Sequence, residues 1–255
     1  MRLTIVGCAG SYPNPAGPAS CYLVEHDGFR MVLDLGSGAL GPLQRYVDPA
    51  ELDAVLLSHL HADHFLDVCG LYVARRYRPE GVPPLLPLYG PGGVASRVAA
   101  AYGMGPSEPM ADVFDIHEYP AGDFTVGPFQ VSHVRVRHPI ECHALRVSVA
   151  AAGGAAGVTK SLVFSGDTGP CDELAELATG ADVALFEASF REGDDNPRDL
   201  HMTAREAAEA ARRAGVGRLI LTHQVAWHDN SRALEEAAVF GGDVVAAEPG
   251  MVVEF

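Results

Sequence analysis

The chain has 255 residues, 48% of them apolar, and a formal net charge of −15 from 18 Lys and Arg against 33 Asp and Glu. A surface that grips a polyanion needs cations to displace counterions from phosphates, so this balance speaks against long nucleic acid as a partner. No run of about 18 uncharged apolar residues is present, and no membrane span is expected.

In chain order, Met1-Arg2-Leu3-Thr4-Ile5-Val6-Gly7 reads as a strand entering a turn, without the apolar segment and cleavage site of a signal peptide. The expected location is therefore the cytoplasm. Apolar runs predict strands at 3–6 and 29–33, then a helix at 38–46, a strand at 54–57 and helices at 64–76 and 94–102. Further strands are expected at 129–136, 162–164, 183–186 and 219–221. A helix at 203–214 has the sharpest boundaries, with Thr203 and Glu206 at capping-box spacing and Gly215 as its stop. The Ala/Gly-rich stretch 150–157 predicts a hairpin tip, and the prolines at 106 and 109 a loop. Five scattered cysteines without a C-x-x-C pair predict free thiols. Strands interleaved with helices give an α/β class.

The chemistry concentrates in Ser58-His59-Leu60-His61-Ala62-Asp63-His64, three imidazoles and a carboxylate directly after a strand. His59 and His61 alternate and can converge on one cation, while Asp63 and His64 enter a helix and can face another. Zinc accepts this mixture of His nitrogen and carboxylate oxygen. The segment cannot complete two sites alone. Three further strand ends release ligand-type side chains, at His138, Asp167 and His223. We expect His59, His61 and His138 on one metal, Asp63, His64 and His223 on a second, and Asp167 bridging.

The run resembles the H-x-H-x-D-H signature of the metallo-β-lactamase superfamily, and Arg137-His138-Pro139, Ser165-Gly166-Asp167-Thr168 and Leu221-Thr222-His223 follow in the family's order. The resemblance implies an αββα sandwich, two central mixed sheets flanked by helices, in a single domain whose pseudo-duplicated halves divide near 118–125. Phe186-Glu187-Ala188-Ser189-Phe190 and Asp199-Leu200-His201-Met202-Thr203-Ala204 resemble segments of the tRNase Z-like phosphodiesterase branch. There His201 approaches Asp63 and assists proton transfer to the leaving oxygen, with Glu187 orienting a ligand or His201. The basic arm that holds tRNA in processing members has no counterpart between His138 and Asp167.

Gly7-Cys8-Ala9-Gly10-Ser11, Leu33-Asp34-Leu35-Gly36-Ser37-Gly38, Ser165-Gly166-Asp167-Thr168-Gly169 and Asp199-Leu200-His201 are similar to the actinobacterial atypical class II cyclic-nucleotide phosphodiesterases. This implies hydrolysis of a small phosphodiester of the 3′,5′-cAMP type, water activated between two zinc ions attacking phosphorus and His201 acting as general acid. Mn2+ and Fe2+ are alternative metals, and a homodimer is the expected assembly. Asp34 and Ser37 are candidates to brace the metal loop or meet substrate, and His143 is a candidate substrate contact. Gln224-Val225-Ala226-Trp227 departs from the Ile-Pro-Pro-Trp of many relatives. Competing readings are an RNA 3′-processing endoribonuclease of the same branch and a thioester, lactone or sulfate-ester hydrolase, since fold does not fix substrate.

Overall fold

Short apolar strands build two seven-stranded mixed sheets in a computed structural model that describes residues 1–105, 110–150, 159–228 and 230–255. The expectations placed on 106–109 and 151–157 lie outside those residues. By its contacts the chain forms two compact units, one of Arg2–Tyr119 with Pro249–Val253, the other of Pro120–Glu248 with the two chain ends.

The first unit holds β1 (Arg2–Gly7), β2 (Cys21–His26), β3 (Phe29–Leu35), β4 (Ala54–Leu56), β5 (Leu86–Gly90) and β6 (Phe114–Glu118) in that spatial order. Its helices are α1 (Leu40–Leu43), α2 (Ala62–Phe65), α3 (Val68–Arg76) and α4 (Val94–Tyr102). β1 to β3 pair antiparallel, and β3 to β6 parallel. Leu43, Phe65, Val68, Leu71 and Val98 close over Val32, Val55 and Leu88 as the core of this layer. A fully buried side chain of this size contributes about 1.5–3 kcal/mol.

The second unit orders β7 (Phe124–Val126), β8 (Phe129–Arg135), β9 (His143–Ala150), β10 (Thr159–Phe164), β11 (Val183–Glu187), β12 (Arg218–Thr222) and β13 (Asp243–Ala246). It carries α5 (Asp172–Leu177), α6 (Ala204–Ala214) and α7 (Asn230–Ala237), while β14 (Val252–Glu254) joins the first sheet beside β1. β7 to β10 are antiparallel and β10 to β13 parallel. α6 presents Ala204, Ala207, Ala208 and Ala211 to Ala184, Phe186, Leu219 and Leu221, small side chains that let helix and sheet approach closely. Thr203 and Glu206 form the reciprocal capping box, and Gly215 ends the helix at φ +66°.

Two expectations need correction. The helix read at 64–76 is broken between α2 and α3, because the Asp67 N–H bonds the Leu35 carbonyl instead of continuing the helical ladder. The helix read at 38–46 keeps helical structure only over Leu40–Leu43. Strand β2 was not expected, although Asp27-Gly28, both at positive φ, makes the tight hairpin turn between β2 and β3.

Candidate functional site

The first unit's donors begin from an irregularity in β3. Cys21 pairs with Leu35 and Tyr22 with Leu33, so Asp34 is an extra, bulged residue, at φ +55°. The bulge turns its carboxylate toward the end of β4. There Asp34 Oδ1 accepts the Ser58 N–H at 2.6 Å and Oδ2 accepts the Ser58 hydroxyl at 2.7 Å. His64 Nδ1 lies 2.6 Å from the same Oδ2. Burial pushes the Asp34 carboxyl up from its ordinary value, against the pull of His64 and the hydrogen bonds from Ser58.

Because the Ser58 hydroxyl spends its hydrogen on Asp34, Ser58 Oγ must accept from His59 Nδ1, 3.1 Å away. His59 therefore has its lone pair on Nε2, 3.1 Å from His61 Nδ1. Two imidazole nitrogens facing each other at that distance match two donors of one ion, since bonds of about 2.0–2.1 Å at tetrahedral angles separate donors by roughly 3.3 Å. His64, held at Nδ1 by Asp34, likewise offers Nε2, which lies 3.4 Å from Asp63 Oδ2.

The second unit gathers its donors at one sheet edge. β10, β11 and β12 run parallel and in register, Phe164 beside Leu185 and Glu187 beside Thr222, so Asp167, Glu187 and His223 emerge at the same carboxyl edge. That edge is where open α/β sheets place ligands. β8 points the same way as β10 through two antiparallel pairings, and delivers His138 there as well. His223 sits at φ +57°, with Nε2 3.5 Å from Asp167 Oδ2. Its Nδ1 is 2.7 Å from Ser189 Oγ, which donates its own hydrogen to the His223 carbonyl and so accepts from the ring. His138 Nδ1 is 3.0 Å from the Leu200 carbonyl oxygen, which can only accept, so Nε2 is again the free donor atom.

Glu187, fully buried, ties these pieces together. Its Oε1 accepts the Thr168 N–H at 3.0 Å and lies 2.9 Å from His201 Nδ1, while Oε2 accepts the Ser189 N–H at 3.0 Å. One carboxylate thus fixes the loops carrying Asp167, His201 and the serine that orients His223. His201 Nδ1 is also 3.9 Å from Asp167 Oδ2. Glu187, His201 and His223 can each bring one ligand-type atom within 4.8 Å of the others.

His59, His64, His138 and His223 therefore share one arrangement, with Nδ1 held by a protein oxygen and Nε2 presented. This outer-shell pattern is usual for metal-binding histidines, and the donor set of imidazole nitrogen and carboxylate oxygen fits a divalent ion. His143 is placed differently. It lies within β9, its Nδ1 3.0 Å from His133 Nδ1 and its Nε2 2.9 Å from Glu141 Oε1, so both ring nitrogens face neighbours in its own unit. Ser37, half-buried, accepts the Ala19 N–H through its carbonyl. The turn after it does not cradle an anion with these N–H groups: Gly38 N and Leu40 N both donate to Asp67, at 3.1 and 2.8 Å.

Ser58, Asp67 and Ser189 carry roles that residue-type reasoning passed over. The available signals were slight: a serine directly before His59, and another two residues after Glu187.

A family model described as Beta-lactamase superfamily domain matches residues 30–224. An uncharacterized protein of Mycobacterium tuberculosis is 43% identical over 252 residues, covering 96% of this chain and 89% of its own. The probable metallo-hydrolase YhfI of Bacillus subtilis is 30% identical over 260 residues, covering all of both chains. Its crystal structure superposes with a TM-score of 0.85 over 99% of each chain. Ribonuclease Z of Haloferax volcanii is 29% identical over 303 residues, covering 100% of this chain and 95% of its own. No helix among the described residues is long and apolar enough to cross a membrane.

Proposed function

The chain belongs to the beta-lactamase superfamily, in its tRNase Z-like branch, and from that membership we propose that this metallo-hydrolase cleaves a small cyclic phosphodiester of the 3′,5′-cAMP type. The ligands we propose are His59, His61, Asp63, His64, His138, Asp167 and His223, for two zinc ions. Such a pair, when bound, supplies activated water and polarises a phosphoryl oxygen.

The observation that carries the phosphodiester reading is the pairing of His201 with buried Glu187, beside Asp167 and His223. Departure of a ribose oxygen needs a proton, because an unprotonated alkoxide leaves poorly. The Glu187 carboxylate accepts the Nδ1–H of His201, which leaves Nε2 as the atom that would give the proton. A positioned general acid of this kind is worth about 10²–10⁴-fold in rate. Asp34, Ser58 and Ser189 keep the donor imidazoles in the tautomer that presents Nε2. The net charge of −15 and the short stretch between His138 and Asp167 favour a small substrate over a folded RNA.

The test is a turnover panel on one zinc-loaded preparation: 3′,5′-cyclic AMP and GMP, 2′,3′-cyclic nucleotides, bis(p-nitrophenyl) phosphate, a precursor tRNA, a lactone and a glutathione thioester. Hydrolysis of the cyclic nucleotides without tRNA processing is expected. Turnover of the thioester or lactone with no phosphodiester cut would overturn the reading.

A further inference from the structure

Beside His201 the second unit opens a cleft of about 610 Å³ that none of the roles above uses. Arg137, Phe190, Asp194, Asp195, Arg198 and His201 are among the residues that line it. The Phe190 ring meets the His201 ring edge-on, with centroids 5.1 Å apart and planes at 87°. Arg137 stands 3.6 Å from Asp199, a loose pair with both side chains more than half exposed, so its guanidinium stays accessible to another acceptor. Glu206 is committed to the Thr203 cap. Asp194 and Asp195 are exposed carboxylates on the loop that precedes His201.

A general acid works within about 2.6–3.2 Å of the atom it protonates. Whatever is attached to the departing oxygen must therefore occupy space next to His201, and this cleft is such a space. Its lining carries four carboxylates, Asp194, Asp195, Asp199 and Glu206, against the two guanidiniums of Arg137 and Arg198. We propose that the cleft is the subsite for the departing side of the substrate, accepting an uncharged nucleoside and rejecting a leaving group that bears a further phosphate. This rests on the reading of His201 as general acid. In the reaction one P–O bond breaks, water supplies the new P–O bond, and the departing oxygen takes the proton from His201.

The recognition is complementary in chemistry. Carboxylates accept from ribose hydroxyls and base amino groups, Arg137 donates to ring nitrogens, and Phe190 offers an apolar surface. A second phosphate on the departing alcohol would instead bring up to two more negative charges into a net negative cleft. Specificity of this kind comes from the repulsion as much as from the contacts. It also differs from a whole-molecule charge effect, because it discriminates between the two sides of the scissile bond.

The experiment uses zinc-loaded enzyme at low ionic strength with the dinucleoside monophosphate ApA and its singly phosphorylated forms pApA and ApAp. Product analysis identifies which oxygen departs. Dinucleotides that are cut are read as kcat/KM, and those that are not cut as Ki against cyclic AMP hydrolysis. The isomer with its extra phosphate on the departing alcohol should be disfavoured about tenfold or more relative to the other, a difference of about 1.4 kcal/mol. Asp194→Lys combined with Asp195→Lys should bring the two isomers within about threefold, since it reverses the sign of the nearest charges. Equal values for the two isomers, or a gap that the double variant leaves unchanged, overturn the subsite. Absence of turnover on every phosphodiester overturns the phosphodiesterase reading and the subsite with it.

Discussion

Ser58 Oγ has one hydrogen to give, and giving it to Asp34 is what forces His59 to present Nε2. Ser189 does the same for His223. Neither serine is a proposed ligand, yet removing the acceptor frees the ring to adopt the other tautomer. Ser58→Ala is expected to weaken metal affinity by about 10–100-fold, measured by competition with a chromophoric chelator. Retention of full affinity would show that the ring is held by other means. The two acidic and basic members of the proposed chemistry should separate cleanly. Asp167→Ala should lose activity and metal together, whereas His201→Ala should keep its metal and turn over about 10²–10⁴-fold more slowly. Full activity in a metal-replete His201→Ala enzyme would remove the general acid from the mechanism.

His143 supplies a pH dependence of stability. Burial pushes its imidazole below the ordinary value, only partly opposed by the hydrogen bond to Glu141, and the neighbouring His133 and Arg135 lower it further. The unfolded chain therefore binds the extra proton more readily than the folded one. The stability held by neutral His143 is complete above the unfolded value of about 6.5 and is lost as pH falls through the lower folded value. Urea unfolding at pH 7 and pH 5 should show a smaller loss in His143→Gln than in the parent. An identical loss in both would assign the acid sensitivity elsewhere.

At the scale of elements, the metal-binding turn depends on backbone meeting backbone. A Cβ placed on Gly36 would lie within 1.9 Å of the Asp63 carbonyl oxygen. No side-chain rotation can relieve that contact, so the turn after β3 and the start of α2 approach only through a glycine. Gly36→Ala should displace Asp63, lowering stability by about 1–3 kcal/mol and metal loading along with it, as read by thermal melts and metal analysis. The break between α2 and α3 belongs to the same design. Asp67 leaves the helix to hold Gly38 and Leu40, which locks the Gly36-Ser37-Gly38 turn against the ligand-bearing segment. The apolar period of 64–76 does not announce this break, because the competing acceptor, Leu35, lies on another strand.

For the whole molecule, ligands that lie far apart along the chain would make metal binding a term in folding stability. Removing metal with a chelator should lower the melting temperature, and metal present at 100 times its Kd stabilises by about 2.7 kcal/mol. A melting temperature indifferent to chelation and to added zinc would contradict metal binding in the folded state. The fold class was readable in the sequence because several of the parallel strands carry short apolar runs, as in Val183–Phe186 of β11, where every residue is buried. Strands such as β9, where buried and half-buried residues alternate around Arg146 and Ser148, were not, because their character comes from neighbours on both sides.

The donor inventory could be read along the chain: which imidazoles and carboxylates stand at strand ends, in what order, and that a divalent ion suits them. Those are properties of residue type and local spacing. What each donor's other atom does follows from contacts made across the fold. Asp34 reaches Ser58 across 24 residues, Glu187 reaches His201 across 14, and Ser189 reaches His223 across 34. A hydrogen bond depends on ångström distances between groups that strand pairing brings together, and no spacing along the chain encodes those distances.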